Sequence, residues 1–143
     1  MRALSKENLS SIGRLYEVNG RVLANYNSID YDKGLTIGQV LKIPPKLAPI
    51  KLAILPLLKK EGLPEIAREI MKDCRDDFYC FYEEKDTIGK RYRRMDALGT
   101  PFCVTVDHQS KEDQTVTIRY RDSMEQERIP ISSIRELVRQ KIR

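Results

Sequence analysis

The most regular apolar stripe in the sequence runs through Leu63, Ile66, Ala67, Ile70, Met71 and Cys74, with Glu65, Arg68, Glu69 and Lys72 between them. These positions fall at offsets 0, 3, 4, 7, 8 and 11, which is one face of an amphipathic helix. Pro64 stands near its first turn, where a missing amide costs little. Upstream, residues 51–58 read Lys-Leu-Ala-Ile-Leu-Pro-Leu-Leu, a nearly continuous apolar run that predicts a strand covered on both faces. Residues 59–62 supply the turn and residues 78–82 the next strand, so the segment predicts a right-handed βαβ unit. Residues 88–98 are basic and helical in pattern. Residues 102–106 and 115–121 are β-branched strands, joined by a polar loop over 107–114. A short strand around Arg128-Ile129-Pro130 leads to Ser132 as a cap. Ile131, Ile134, Leu137, Val138 and Lys141 then mark a C-terminal amphipathic helix. The order β-α-β-α-β-β-β-α is an α/β pattern, a mixed sheet flanked by helices.

The first part of the chain has a different texture. Leu9, Ile12, Leu15 and Tyr16 keep helical spacing behind Asn8, a natural N-cap. A second short helix is expected over 18–26, with Val22, Leu23 and Tyr26 on one face. Residues 40–43 read as a short strand that residues 2–4 can pair with. Such a small core would be marginal alone. Then Ile43-Pro44-Pro45-Lys46-Leu47-Ala48-Pro49 places three prolines within six residues, which removes amide donors and excludes helix. It reads as an extended connector. The expected division is therefore a module at 1–44 and a larger one at 45–143.

Charge narrows the function only slightly. Lys and Arg total 26 against 21 acidic residues, a net +5, which permits a polyanionic partner without requiring one. Residues 1–44 hold six basic and four acidic side chains, so neither module is a strongly charged arm. No apolar run is long enough to span a membrane, so no membrane partner is expected. The opening Met1-Arg2-Ala3-Leu4-Ser5-Lys6 has no apolar signal core. Cys74, Cys80 and Cys103 form an odd set without a CxxC pair, expected as reduced thiols in a reducing compartment. His108 stands alone in a polar loop, so no metal site is expected. No nucleophile triad, Walker loop or dinucleotide fingerprint is readable, and no cofactor is implied.

Three blocks of the first module resemble the LysM family. They are residues 9–18 (LSSIGRLYEV), residues 23–27 (LANYN) and residues 35–44 (LTIGQVLKIP). The family patterns are L-x-x-I-A-x-x-Y-x-V, L-x-x-x-N and L-x-x-G-Q-x-L-x-I-P. The valine- and glycine-rich start of the family is altered here to Leu4-Ser5-Lys6-Glu7. The resemblance, over residues 2–44, implies a βααβ fold and a shallow groove for N-acetylglucosamine polymers such as peptidoglycan or chitin. By position, Asn8, Leu9, Ser10, Asp32, Gly34 and Leu35 would line that groove. The same letters also serve simply as the core of the fold.

Residues 45–143 carry a more specific resemblance. Residues 46–57 (KLAPIKLAILPL), 88–102 (IGKRYRRMDALGTPF) and 121–126 (RDSMEQ) are similar to the C-terminal anticodon-binding domain of the dimeric glycyl-tRNA synthetases. The family reads close to S-I-G-R-R-Y-R-R-Q-D-E-I-G-T-P-F and R-D-T-M-E-Q; Met95 stands where Gln is usual. The resemblance implies the class II synthetase anticodon-binding fold and the glycine tRNA anticodon as partner. It also implies a cytoplasmic place in protein biosynthesis and a separate catalytic domain carrying the ATP and glycine sites. Nothing in this chain matches that catalytic domain, so it is expected to be non-catalytic on its own. The two resemblances point to different compartments, as would a fusion of two families. Glycan binding through residues 2–44 is the alternative function.

An anticodon presents unstacked bases and phosphates, which call for cations, flat side chains and polar groups for base edges. Lys90, Arg91, Tyr92, Arg93 and Arg94 gather four cations around one ring, and Asp96 can accept from a cytosine amino group. On a helix, Lys90 and Arg94 share a face with Arg91 beside them. These are the expected tRNA contacts. The same arginines also fit a second role, pairing with Asp86, Asp96 or Glu125 to hold a loop in place.

Overall fold

The computed structural model describes residues 1–4 and 7–143. Ser5 and Lys6, within the altered start of the first module, lie outside the described residues.

Helix α1 (Leu9–Leu15) opens on a capping box: Asn8 accepts from the Ser11 amide while the Ser11 hydroxyl accepts from the Asn8 amide. Helix α2 (Gly20–Tyr26) starts from Asn19, whose side chain accepts from the Arg21 amide. It turns Leu23 and Ala24 inward, while Val22 and Tyr26, expected on the inner face, are 47 % and 41 % exposed. Glycine is the reason. A Cβ at Gly20 would come within 2.8 Å of the Leu9 carbonyl group, and one at Gly13 within 2.4 Å of the Val18 oxygen. Bare backbone lets the two helices touch there and fixes which side of α2 is covered.

The expected flanking strands reduce to a single antiparallel bridge between Arg2 and Val40. The chain turns at Ile37-Gly38 just before it and prolines follow, so no longer ladder fits. The proline segment is a turn, not an extended connector. The amides of Leu47 and Ala48 both donate to the Pro44 carbonyl, which folds Ala48 onto the core of Leu9, Ile12, Leu23, Leu41 and Ile43.

The larger module holds a five-stranded sheet in the order β2-β1-β3-β4-β5. Strand β1 (Leu52–Pro56) pairs in parallel with β2 (Cys80–Tyr82) and β3 (Phe102–Val106). Strands β4 (Thr115–Tyr120) and β5 (Gln126–Pro130) continue antiparallel. The sheet is thus mixed and flanked by helices. Alternation along the strands splits the core. Leu52, Ile54, Phe102 and Val104 pack with α3 (Leu63–Cys74) and α6 (Ile134–Ile142). Ala53, Leu55 and Cys103 meet Met95 of α4 (Ile88–Leu98) on the opposite face.

Three local expectations change. β2 starts two residues late, because the Phe78 amide donates back to the Cys74 carbonyl and closes the end of α3. The polar loop at 107–114 contains α5 (His108–Asp113), opened by a reciprocal Asp107–Ser110 capping box. Ser132 does not cap α6; it lies inside a 3-10 turn, Ile131–Ser133.

The two modules share a seam. Arg121, 8 % exposed, donates to the carbonyls of Ile43 and Gly99 and to the Asp122 carboxylate. Tyr26 donates to the same carboxylate at 2.7 Å, and Lys42 Nζ lies 3.3 Å from the Asp122 carbonyl. Among the described residues no helix is long and apolar enough to cross a membrane.

Candidate nucleic-acid interface

The basic helix α4 is capped by Thr87, whose hydroxyl accepts from the Lys90 amide, and stopped by Gly99 at φ +81°, a left-handed conformation that favours glycine. Ile88, Tyr92 and Met95 turn toward the sheet. Arg91 falls on that same face and is only 2 % exposed. Its guanidinium donates to the carbonyl of Pro56 at 2.6 Å, and to those of Glu83 and Leu57 at 3.2 and 3.3 Å. Arg91 therefore ties α4 to the end of β1, and burial pulls its pKa below the usual guanidinium value. Its fork is occupied by protein carbonyls, where the sequence expectation places an RNA phosphate. The reason is legible in the spacing, because residues 88, 91, 92 and 95 are one helical stripe.

Arg94 follows the second role. It pairs with Asp86 at 2.7 Å, lies 3.5 Å from Glu83, and donates to the Lys85 carbonyl. That network fixes the segment from Glu83 to Asp86, and Arg94 holds the Asp86 carboxyl below its ordinary range.

Asp96 is held by a residue that sequence reasoning missed. Arg119 on β4 grips both its oxygens, at 2.8 and 3.0 Å. The Arg119 guanidinium also lies 4.9 Å from the Tyr92 ring centroid, and the Tyr92 hydroxyl bonds Thr105 at 2.6 Å. Donating to the Asp96 carboxylate raises the Arg119 pKa further, while burial raises that of Tyr92. The stack Tyr92–Arg119–Asp96 locks α4 onto the sheet. Strand alternation carried the signal: Arg119 opposes Cys103, whose side chain faces α4.

Lys90 and Arg93 remain on the outer face of α4. Neither takes part in an ion pair among the described residues. Arg93 stands at the mouth of a cleft of about 570 Å³ between the modules, with Met1, Arg2, Val40, Asp96, Ala97 and Met124. So the structure brings Lys90 and Arg93 to solvent, and holds Arg91, Tyr92, Arg94 and Asp96 in internal contacts.

In the first module, a smaller cavity of about 230 Å³ is lined by Asn8, Leu9, Ser10 and Gly34, joined by Arg14 and Tyr31. Four of the six expected groove residues meet there. Asp32 and Leu35 do not line it, and Leu35 packs on the core. The Ser10 and Tyr31 hydroxyls lie 2.7 Å apart, and Arg21 stacks on Tyr31 at 4.4 Å. The Asn8 side-chain oxygen is engaged in the helix cap. Elsewhere, His108 Nδ1 lies 3.2 Å from Glu61. No cluster suited to a metal occurs among the described residues.

Family comparison finds two separate matches along the chain. Residues 51–141 match the family described as the anticodon binding domain, and residues 5–44 match the LysM domain family. The chain is 58 % identical over 103 residues to the glycine–tRNA ligase of Borrelia hermsii. It is 53 % identical over 104 residues to that of Treponema denticola. The aligned stretch is 72 % of this chain and 23 % of the Borrelia protein, so the chain spans about a quarter of the length of these relatives. Among solved structures, a prolyl-tRNA synthetase from Cryptosporidium parvum superposes with a TM-score of 0.64 at 24 % identity. That likeness covers 75 % of this chain and 24 % of the other, and it concerns the fold alone.

Proposed function

Because the chain belongs to the anticodon binding domain family through residues 51–141, we propose that it is a tRNA-binding module, taking the anticodon of glycine tRNA and catalysing nothing by itself. The observation that carries this reading is the identity to glycine–tRNA ligases, 58 % over 103 residues. It falls on the part that those enzymes carry beside the rest of their length. The division at 44/45 and a cytoplasmic place belong to the same reading, with a synthetase catalytic domain as the further partner.

The exposed cations give the reading a mechanism. Lys90 and Arg93 project from the outer face of α4, where they meet the phosphates of an RNA loop. Arg91, Arg94, Tyr92 and Asp96 act as positioning residues. They fix the angle and height of α4, so that its outer cations keep one geometry as the RNA arrives. The test is fluorescence anisotropy of labelled glycine tRNA with the full chain over a salt series. The double substitution Lys90→Ala, Arg93→Ala weakens binding several-fold and flattens the salt slope by about 2. Equal binding and equal slope for parent and variant would remove Lys90 and Arg93 from the interface. No binding by the parent at low salt would remove the reading itself.

A second reading rests on the cavity that gathers Asn8, Leu9, Ser10 and Gly34: an N-acetylglucosamine polymer laid against Tyr31. Sedimentation of the chain with chitin or peptidoglycan tests it, and a chain left wholly in the supernatant ends it.

A further inference from the structure

The cleft at the seam between the modules has a composition that neither module has alone. Arg2 and Val40 come from the first module; Arg93 and Ala97 come from α4; Met124 comes from the turn between β4 and β5. At about 570 Å³ it falls within the ~300–1,000 Å³ range of small-ligand sites. Its charge is one-sided. Asp96 is neutralised by the two-pronged grip of Arg119, and among the described residues neither Arg2 nor Arg93 is in an ion pair. Its walls are apolar and open, with Val40 59 % and Met124 69 % exposed. Met124 is presented by a left-handed backbone, φ +60°, pinned by its amide to the Tyr120 carbonyl. A non-glycine residue held there stores strain. The turn keeps a polarisable thioether at the rim of the cleft.

We propose that this seam cleft receives one unstacked nucleotide of the bound RNA, its phosphate between Arg2 and Arg93 and its base against Met124 and Val40. The inference rests on the tRNA-binding reading above and extends it: the first module contributes a residue to the RNA site. Two flanking cations over an apolar floor match a nucleotide, which joins an anionic phosphate to a flat, weakly polar ring. A methionine adapts to any base by rotating its unbranched side chain and making sulfur–ring contacts. The seam has a fixed shape because Arg121, Tyr26 and Asp122 rivet it a short way off.

The experiment uses the full chain with its methionine methyl groups labelled for NMR, titrated with a single-stranded RNA of the glycine anticodon-loop sequence. The expected result is that the Met124 and Met1 methyl signals move and that of Met71, on α3, does not. Arg2→Gln weakens binding several-fold and lowers the salt slope by about 1, while Lys72→Gln, on the exposed face of α3, leaves both unchanged. If the RNA binds but Met124 and Met1 stay still, the seam site is wrong and the tRNA-binding reading stands. If the RNA does not bind, both fall. If poly-glutamate moves the same two signals as strongly, the cleft takes acidic chains in general and the nucleotide assignment is overturned.

Discussion

Arg121 Nη2 donates to the carbonyl of Ile43, joining positions 78 residues apart. Its other terminal nitrogen donates to Gly99, so a single buried fork closes both the last helix turn of α4 and the end of the first module. Replacing it by alanine strands two carbonyls, each worth about 1–3 kcal/mol when left unpaired in the interior. Arg121→Ala lowers the thermal midpoint and unfolds the chain at a free energy lower by about 2–4 kcal/mol. Arg121→Lys recovers little, because an ammonium cannot serve both carbonyls in a plane. Calorimetry and trypsin cleavage at the exposed Lys46 report the change; an unaltered midpoint with unaltered cleavage would count against the rivet.

Arg91 and Arg93, two positions apart, separate stability from binding. Arg91→Ala exposes the Pro56, Glu83 and Leu57 carbonyls to an empty site and destabilises by about 2–4 kcal/mol. Arg93→Ala on the outer face changes stability by less than about 0.5 kcal/mol, yet weakens RNA binding. Urea unfolding of both variants beside anisotropy titrations checks the pair. The opposite assignment, with Arg93 the stabilising residue, would overturn the orientation of α4.

Acid weakens the protein in a defined window. Hydrogen bonds from Arg128 hold Asp107 below the usual carboxylate range, and those from Arg135 and Arg139 do the same for Asp77. A depressed native pKa stabilises fully above the unfolded value of about 4. The contribution disappears as pH falls through the native values. Stability is therefore flat with respect to these groups near neutrality and declines below about pH 4. Asp107→Asn removes part of that decline and lowers stability at pH 7. Unfolding measured from pH 2 to pH 7 decides it, and an identical acid limb in the variant would exclude the Arg128 pair as a cause.

The three thiols are protected unequally. Burial pushes Cys103 up to about 12, whereas the hydrogen bond between Cys74 and Cys80, with burial behind it, raises Cys80 and itself lowers Cys74. Cys74 also lines a cavity of about 230 Å³ between α3 and the 3-10 turn. At pH 8 a small alkylating reagent labels Cys74 first, and Cys103 only on unfolding. Mass spectrometry of partly labelled protein reads the order. Early modification of Cys103 would contradict its place beneath α4.

Much of this architecture is legible in the sequence because periodicity reports burial. The stripe from Leu63 to Cys74 becomes α3, the apolar run expected over 51–58 becomes the shorter β1 (Leu52–Pro56), and α4 keeps its expected limits. The failures have physical causes. Helix α5 is too short for a stripe, so its only mark is the Asp107–Ser110 box. The inner face of α2 is chosen by bare glycine backbone, which an apolar count does not register. In the site, a basic run looks like a solvated face, yet spacing alone places Arg91 inward. Arg119 is invisible until β4 is paired with β3, because its partner Asp96 lies 23 positions away. Fold thus follows from local pattern, while the division of arginines into framework and contact follows from register.

The Ile43–Arg121 bond also has a consequence in time. A ribosome making this chain extrudes Ile43 long before it polymerises Arg121, and through that interval the carbonyl has only water to satisfy it. The segment around Ile43 leaves the exit tunnel early yet settles late, waiting on an anchor made 78 residues later.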